Sequence, residues 1–183
     1  MRHRPDKKPR PPLGDETLER LALHYAGRYA TTRAKLRAYL IRKLRERGWE
    51  GQEAADHAAA RIVKRFEDLG YVNDGAFAEA RAASLGRRGY GERRVAEALK
   101  AAGIEEEDAG LARELARENA WAAALRFAKR RWVGPYATET LDRDQKQKAF
   151  AAMIRAGHPA DIARRLLEIA PGGDVEAPDA NFA

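Results

Sequence analysis

The side chains of this sequence that are best suited to chemistry are cations, and they occur in clusters. Positions 28–47 hold eight basic residues against a single acid, Glu46. A second cluster lies between Arg81 and Lys100, and a third comprises Arg126 and residues 129–131. Solvated helix faces usually mix charges, so that neighbours four residues apart attract each other. Together with a formal net charge of +7, the clusters therefore favour an anionic partner over a role in solubility alone.

Residues that could carry catalysis or hold a metal ion are not arranged for it. No glycine-rich phosphate loop is present, and the four histidines, at positions 3, 24, 57 and 158, are too far apart for a helical metal pair. The acids of Glu105–Asp108 are explained by the dipole at a helix start. His158, just before Pro159, is predicted to be a helix cap or an exposed turn residue. We therefore predict no catalytic residues, no metal site and no cofactor.

The composition also indicates in which cellular compartment the protein is expected. The chain has no cysteine, which fits a reducing environment. Its apolar runs are far shorter than a membrane span, and its basic, proline-rich start lacks the apolar stretch of a secretory signal. A cytoplasmic protein without membrane contact is expected.

One pattern occurs three times and predicts the elements that must position these cations. An apolar helical stripe runs up to Gly48, Gly103 and Gly157, and the glycines are 55 and 54 residues apart. Glycine followed by a large apolar residue also occurs at Gly70 and Gly89, which is typical of a helix end. Because strand-like alternation is essentially absent, the sequence predicts an all-α array of similar units.

Each unit is predicted to contain three helices. The first helices span about 15–29, 74–87 and 119–132, the central ones 32–47, 91–102 and 142–156, and the third ones 52–69, 106–118 and 159–170. Asp15, Thr31 or Thr32, Asn73 or Asp74, and Asp142 are the expected caps, and Pro159 is expected at a first helical position. Because nothing in 106–131 breaks a helix, the second unit's last helix could continue into the third unit's first.

The resulting organisation has five parts. They are a disordered basic, proline-rich arm over 1–13, repeats over 15–72, 73–118 and 119–170, and a flexible acidic tail over 171–183. Among the aromatic residues, Trp49, Tyr71 and Phe77 are assigned to the core. Trp132 follows two arginines and is the best candidate to stack on unpaired bases, although packing is the more ordinary role.

The middle of the chain resembles a known family. Residues 69–78 read Leu-Gly-Tyr-Val-Asn-Asp-Gly-Ala-Phe-Ala, which is similar to the box GY-[IV]-[DN]-D-x-x-[FY]-A of the RecX regulatory family. Gly91, Arg94-Val95, Leu99 and Gly103-Ile104 then resemble its G-x-x-R-[IV]-x-x-x-L-x-x-x-G-[IV] pattern. The resemblance covers about Glu16–Ala170. It implies three tandem three-helix repeats in an elongated, curved array that binds DNA and the RecA filament.

Three functions stay open at this point. The leading hypothesis is a monomeric, non-enzymatic modulator that limits RecA filament growth, ATP hydrolysis, strand exchange and co-protease activity, and that binds single- and double-stranded DNA. The alternatives are a generic helical nucleic-acid-binding protein that ignores RecA, and a scaffold for an acidic protein. The candidate contacts to DNA phosphates or to an acidic RecA surface are Arg33, Lys35, Arg37, Arg42, Lys43, Arg87, Arg88, Arg93, Arg94, Lys129, Arg130 and Arg131.

Overall fold

The computed structural model describes residues 11–176 and divides the chain into two compact units, one ending at Asp74 and the other beginning at Gly75. Over the described residues the secondary structure is helical, apart from one isolated bridge between Leu13 and Trp49. The all-α prediction is confirmed. None of the helices within 11–176 is both long and apolar enough to cross a membrane.

The helices form three successive groups of three, which we call the first, second and third repeats. The first repeat holds α1 (Asp15–Arg28), α2 (Arg33–Arg47) and α3 (Ala55–Asp68). The second holds α4 (Asp74–Arg87), α5 (Glu92–Ala101) and α6 (Glu106–Glu118). The third holds α7 (Ala120–Arg131), α8 (Arg143–Arg155) and α9 (Ala160–Glu168), with a 3-10 turn over Gly134–Tyr136.

The first unit has a core drawn from all three of its helices. The stripe of α2 is fully buried at Leu36 and Leu40, and it packs with Leu18 of α1 and with Ile62 and Phe66 of α3. Burying a leucine of this kind contributes about 1.5–3 kcal/mol. The predicted stripe before Gly48 is therefore the centre of this core.

Leu13 belongs to the same core, which corrects the predicted arm. Its side chain is fully buried, its N–H donates to the Gly48 carbonyl at 3.0 Å, and its own carbonyl accepts from Glu50 N–H at 3.1 Å. The error arose because a single leucine after a run of prolines gives no periodic signal. Residues 1–10 of the predicted arm and residues 177–183 of the predicted tail lie outside the described part of the chain.

The second unit contains two apolar cores, one for each of its repeats. Val95 and Leu99 of α5 pack with Ala78, Leu85 and Ala112 in the second repeat. In the third repeat the core is centred on Met153 of α8, and it includes the following residues of α7 and α9: Trp121, Ala124, Phe127, Ala163 and Leu166. The three predicted stripes thus supply the central helix of each repeat.

Helix ends follow the predicted chemistry with some exceptions. Gly48, Gly103 and Gly157 all have positive φ, between 73° and 90°, as the predicted stops require. Thr32 accepts from Lys35 N–H at 3.2 Å, and Asp142 forms a capping box with Gln145.

Two predicted helix starts are wrong, whereas the predicted boundary after residue 118 is present and the optional continuous helix over 106–131 is not. Asp15 lies inside α1 and accepts from Arg61 instead of capping, while Pro159 is the N-cap of α9 and not its first helical residue. The break between α6 and α7 falls at Asn119, whose Nδ2 donates to the Leu115 carbonyl at 2.8 Å. A side-chain amide that competes for backbone carbonyls in this way disfavours helix continuation.

Candidate anion-binding surface

The turn Gly89-Tyr90-Gly91 between α4 and α5 is held by backbone hydrogen bonds to the end of α8. Gly91 N–H donates to the Ala156 carbonyl at 3.0 Å, and Arg93 N–H donates to the Gly157 carbonyl at 3.2 Å. These bonds join the start of α5 to the end of α8. The turn therefore links the second repeat to the third through backbone hydrogen bonds.

Only glycine fits at both ends of this turn. Gly89 has φ of 73°, and a Cβ there would lie 2.7 Å from the backbone nitrogen of Phe127. A Cβ at Gly91 would lie 2.3 Å from the carbonyl oxygen of Gly157. Two chain segments can approach this closely only where no side chain intervenes. The backbone of Tyr90 within the turn, and that of Arg88 before it, is consequently held close to α7.

Three arginines and a tyrosine meet above this turn in a cleft of about 460 Å³, which we call the arginine cleft: Arg88, Tyr90, Arg130 and Arg131. The guanidinium carbons of Arg88 and Arg130 lie 5.4 and 5.9 Å from the centre of the Tyr90 ring. Arg130 also donates to the Arg88 carbonyl. Cation–π contacts of this kind hold a guanidinium in place while leaving most of its N–H donors available.

The arginine cleft is electrostatically one-sided. Within residues 11–176, no carboxylate forms an ion pair with Arg88, Arg130 or Arg131, and all three side chains are exposed. Arg130 and Arg131 stand in the last turn of α7, where a cation interacts favourably with the helix dipole. The dipole accounts for single cations at a helix end, but it does not account for three that converge from two helices.

His158 lies beneath the cleft and was wrongly predicted to be a cap or an exposed turn residue. It is 4% exposed, its Nε2 lies 3.1 Å from the Gly89 carbonyl oxygen, and its ring meets the Phe127 ring edge-on at 5.3 Å. Burial lowers the pKa of His158, and the positive charge of Arg130 lowers it further, while the bond to Gly89 opposes both effects. The imidazole is therefore neutral near pH 7, with Nε2–H donating to Gly89.

The remaining predicted cations of the second repeat differ from those of the cleft. Arg93 and Arg94 both approach Glu97, at 3.7 and 3.1 Å, and Arg93 also donates to the Ile154 carbonyl at 2.6 Å. Arg87 is exposed and lines a separate groove of about 280 Å³ together with Arg126. Lys129 is exposed on α7, beside the arginine cleft in sequence but not among its lining residues.

In the first unit, Arg33 forms hydrogen bonds with two carboxylates. Its backbone N–H and Nε donate to Asp74 at 2.9 and 3.2 Å, and its Nη1 donates to Glu67 at 2.7 Å. The Asp74 side chain is only 2% exposed. This geometry assigns Arg33 to holding the end of the unit together, since an arginine with two carboxylate partners has few donors left for a phosphate.

The other predicted cations of the first unit lie on α2. Lys43 pairs with Glu46 at 2.6 Å, while Arg42 and Arg37 have longer pairs of 3.9 Å with Glu46 and Asp56. The Tyr39 ring lies beneath Arg42 and Lys43, at 5.6 and 5.9 Å, and stacks on Tyr25 at 4.2 Å. Lys35 follows the cap of α2, and its backbone N–H donates to Thr32.

Two large aromatic side chains, Trp132 and Tyr71, are exposed. Trp132 ends α7 in the left-handed conformation and is 68% exposed, as a stacking residue would be. Tyr71, which was assigned to the core, is 54% exposed and rests on Phe66 at 5.3 Å. Sequence reasoning missed Tyr90 as a lining residue of the cleft and His158 as the buried residue beneath it. The available signal was the pair of glycines around Tyr90, because two glycines two residues apart indicate a close backbone approach.

Similar proteins carry a consistent name. The family model of the second three-helix domain of RecX matches residues 73–112. The regulatory protein RecX of Myxococcus xanthus is 31% identical over 180 residues, which is 93% of this chain and 94% of that protein. RecX of Streptomyces coelicolor is 32% identical over 157 residues, 81% of this chain and 78% of that protein. The crystal structure of RecX from Lactobacillus salivarius has a TM-score of 0.61 and 19% identity, and it covers 84% of this chain and 94% of that one.

Proposed function

Because the chain belongs to the RecX family of regulatory proteins, which are not enzymes, we propose that it binds RecA and its nucleoprotein filament. Binding limits filament extension, and through it ATP hydrolysis, strand exchange and co-protease activity. The protein acts as a monomer in the cytoplasm and contacts single- and double-stranded DNA through its basic faces. Its effect requires surface complementarity to the filament and no chemistry of its own.

The observation that carries the proposal is the arginine cleft. Exposed arginines without carboxylate partners release counterions when they meet phosphates, and this release drives binding to a polyanion. Arg88, Arg130 and Arg131 have this property within the described residues, whereas Arg33 and Lys43 have acidic partners. We therefore place the DNA-facing surface on the second and third repeats, with Arg87 and Lys129 at its edge.

The cations of the first unit form a separate part of the proposal. Arg37, Arg42 and Lys43 are exposed or half-buried on α2, and their carboxylate partners lie on the same unit. Exposed pairs of this kind are weak, about 0–1 kcal/mol, so a phosphate or an acidic RecA side chain can replace the partner at little cost. Lys35 is part of the same proposal because it lies on α2 as well.

A titration of RecA ATPase activity on single-stranded DNA tests the proposal. Rising concentrations of the protein should lower the rate of ATP hydrolysis by preformed filaments. An unchanged rate at saturating protein, with filament length also unchanged, would refute it. A pull-down of RecA without DNA separates this function from that of a general nucleic-acid-binding protein, which would bind DNA with a steep salt dependence and leave RecA in solution.

A further inference from the structure

We propose that the arginine cleft is a built site for one phosphodiester group of a DNA strand, and that an occupied cleft braces the second repeat against the third. The proposal rests on the proposed function in one respect, namely that DNA is the ligand. It goes further by assigning one phosphate to named residues and by giving that phosphate a structural effect inside the second unit.

The cleft draws its cations from both repeats. Arg88 directly follows α4 of the second repeat, while Arg130 and Arg131 end α7 of the third. The Arg130 side chain already reaches across to the Arg88 carbonyl. A phosphate has several acceptor oxygens, and guanidinium groups bind phosphate through paired N–H donors. One phosphate in the cleft can therefore accept from arginines of both repeats and join them.

Without a ligand, the cleft holds three like charges and no carboxylate within residues 11–176 forms an ion pair with them. Their mutual repulsion opposes the packing of α7 against the turn at Gly89. An anion removes this repulsion, and any ligand that binds only the folded state raises its stability by mass action. Binding and stability of the second unit are thus coupled through the same three side chains.

The floor of the cleft is fixed before any ligand binds. Gly89 and Gly91 lie against backbone atoms of Phe127 and Gly157, and the Gly91 N–H bond to Ala156 is 3.0 Å long. The rings of Tyr90 and Phe127 lie under the guanidinium groups of Arg88, Arg130 and Arg131, at 5.4–6.0 Å. A site whose side chains are already ordered loses little conformational entropy on binding.

His158 gives the cleft an internal reporter. It faces the Gly89 carbonyl and the Phe127 ring, and Arg130 is the charged side chain that lowers its pKa by Coulomb repulsion. A phosphate on Arg130 would offset that charge, so the pKa of His158 should rise when the cleft is occupied. The imidazole does not contact the ligand, because it is buried.

Binding of a labelled oligothymidylate, followed by fluorescence anisotropy at several salt concentrations, tests the site. Arg130→Gln should weaken binding about tenfold, as expected for the loss of one charge-assisted hydrogen-bonded contact. It should also reduce the log–log salt slope by about 0.7, as one lost phosphate contact requires. Arg81→Gln is the matched control, because Arg81 is an exposed arginine of the same unit without an ion pair among the described residues. Equal affinity losses in the two variants would overturn the proposal.

The brace is tested by thermal unfolding and by nuclear magnetic resonance of His158. The oligonucleotide should raise both the melting temperature and the pKa of His158 in the wild-type and Arg81→Gln proteins. In Arg130→Gln the rise in melting temperature should be smaller at the same oligonucleotide concentration, as an affinity about tenfold weaker requires, and the pKa of His158 should not change on binding. Inorganic phosphate alone should produce the same pKa shift at much higher concentration, because it lacks neighbouring phosphates. A His158 pKa unchanged at saturating oligonucleotide would contradict a phosphate bound at Arg130.

The RecA ATPase titration distinguishes a failure of the proposed phosphate site from a failure of the proposed regulatory function. If the wild-type protein lowers ATP hydrolysis but Arg130→Gln binds the oligonucleotide like Arg81→Gln, the site is wrong and the proposed function stands. If the wild-type protein binds the oligonucleotide through the cleft but leaves RecA hydrolysis unchanged, the site stands and the proposed function fails.

Discussion

Replacing Gly91 by alanine should destabilise the second unit, because the backbone of Gly157 lies too close to Gly91 to leave room for a methyl group. Gly91 is the N-cap of α5 and has φ of −82°, a value that alanine adopts freely, so the change introduces no backbone strain. The added methyl group would lie 2.3 Å from the Gly157 carbonyl oxygen and 2.4 Å from its carbon. A backbone carbonyl cannot rotate away like a flexible side chain, so the two segments must separate.

The size of the effect follows from what that separation breaks. Overpacking of this kind costs about 1–3 kcal/mol. Two backbone hydrogen bonds, from Gly91 N–H to Ala156 and from Arg93 N–H to Gly157, lie directly at the contact. Each contributes about 0.5–1.5 kcal/mol when it is intact. We expect Gly91→Ala to lower the free energy of unfolding by about 2–4 kcal/mol, a large part of the stability of an ordinary domain.

Gly110→Ala is the matched control, and it should raise the free energy of unfolding where Gly91→Ala lowers it. Gly110 lies exposed within α6, and a Cβ there would have no neighbour within 4 Å. Alanine at such a position stabilises a helix by about 0.5–1 kcal/mol. Urea titrations followed by circular dichroism measure both variants. Wild-type stability in Gly91→Ala, or an equal loss in both variants, would refute the reasoning that the turn is fixed by backbone contact.

Three other perturbations address separate features. Because burial lowers the pKa of His158 from its usual 6.5, the unfolded chain binds more protons, so the free energy of unfolding should fall as the pH drops below about 6.5. His158→Gln should flatten that dependence in urea titrations, and an unchanged slope would contradict a buried neutral imidazole. Asp142→Ala should cost about 1 kcal/mol through loss of the capping box, and Asp142→Ser less; equal thermal shifts would contradict a capping role. Arg33→Ala should lower the free energy of unfolding by about 2 kcal/mol. Breaking a fully buried ion pair costs about 3–5 kcal/mol, and the smaller loss is expected because Arg33 is partly exposed. A loss no larger than that of Arg37→Ala would contradict a structural ion pair.

The fold could be predicted because its signals are local. A stripe at helical spacing and a glycine at its end are both properties of a few neighbouring residues, and they placed Leu40, Leu99 and Met153 in the cores where the structure has them. Asp142 was predicted as a cap for the same reason. The predicted bounds placed the break after residue 118 but left a continuous helix open, because the break depends on a single side-chain hydrogen bond, which asparagine forms at many positions without ending a helix.

The arginine cleft could not be predicted in detail, because it depends on contacts between residues that are far apart in the sequence, and composition carries no information on such contacts. Charge clustering selected Arg33 and Arg130 equally, yet the fold gives Arg33 the buried carboxylate of Asp74, 41 residues away, and leaves Arg130 without an ion pair within 11–176. The burial of His158 arises from Gly89, 69 residues away. Leu13 was missed because its partner, Gly48, lies beyond any local pattern.

The length of RecA filaments on single-stranded DNA, measured by electron microscopy, tests the central claim most directly. The wild-type protein and the Arg81→Gln control should shorten the filaments. A variant with glutamine at Arg88, Arg130 and Arg131 should leave them near full length, while its circular dichroism spectrum shows an intact helical fold. Full-length filaments with the wild-type protein, or equal shortening by the triple variant, would contradict a regulator that acts through the arginine cleft.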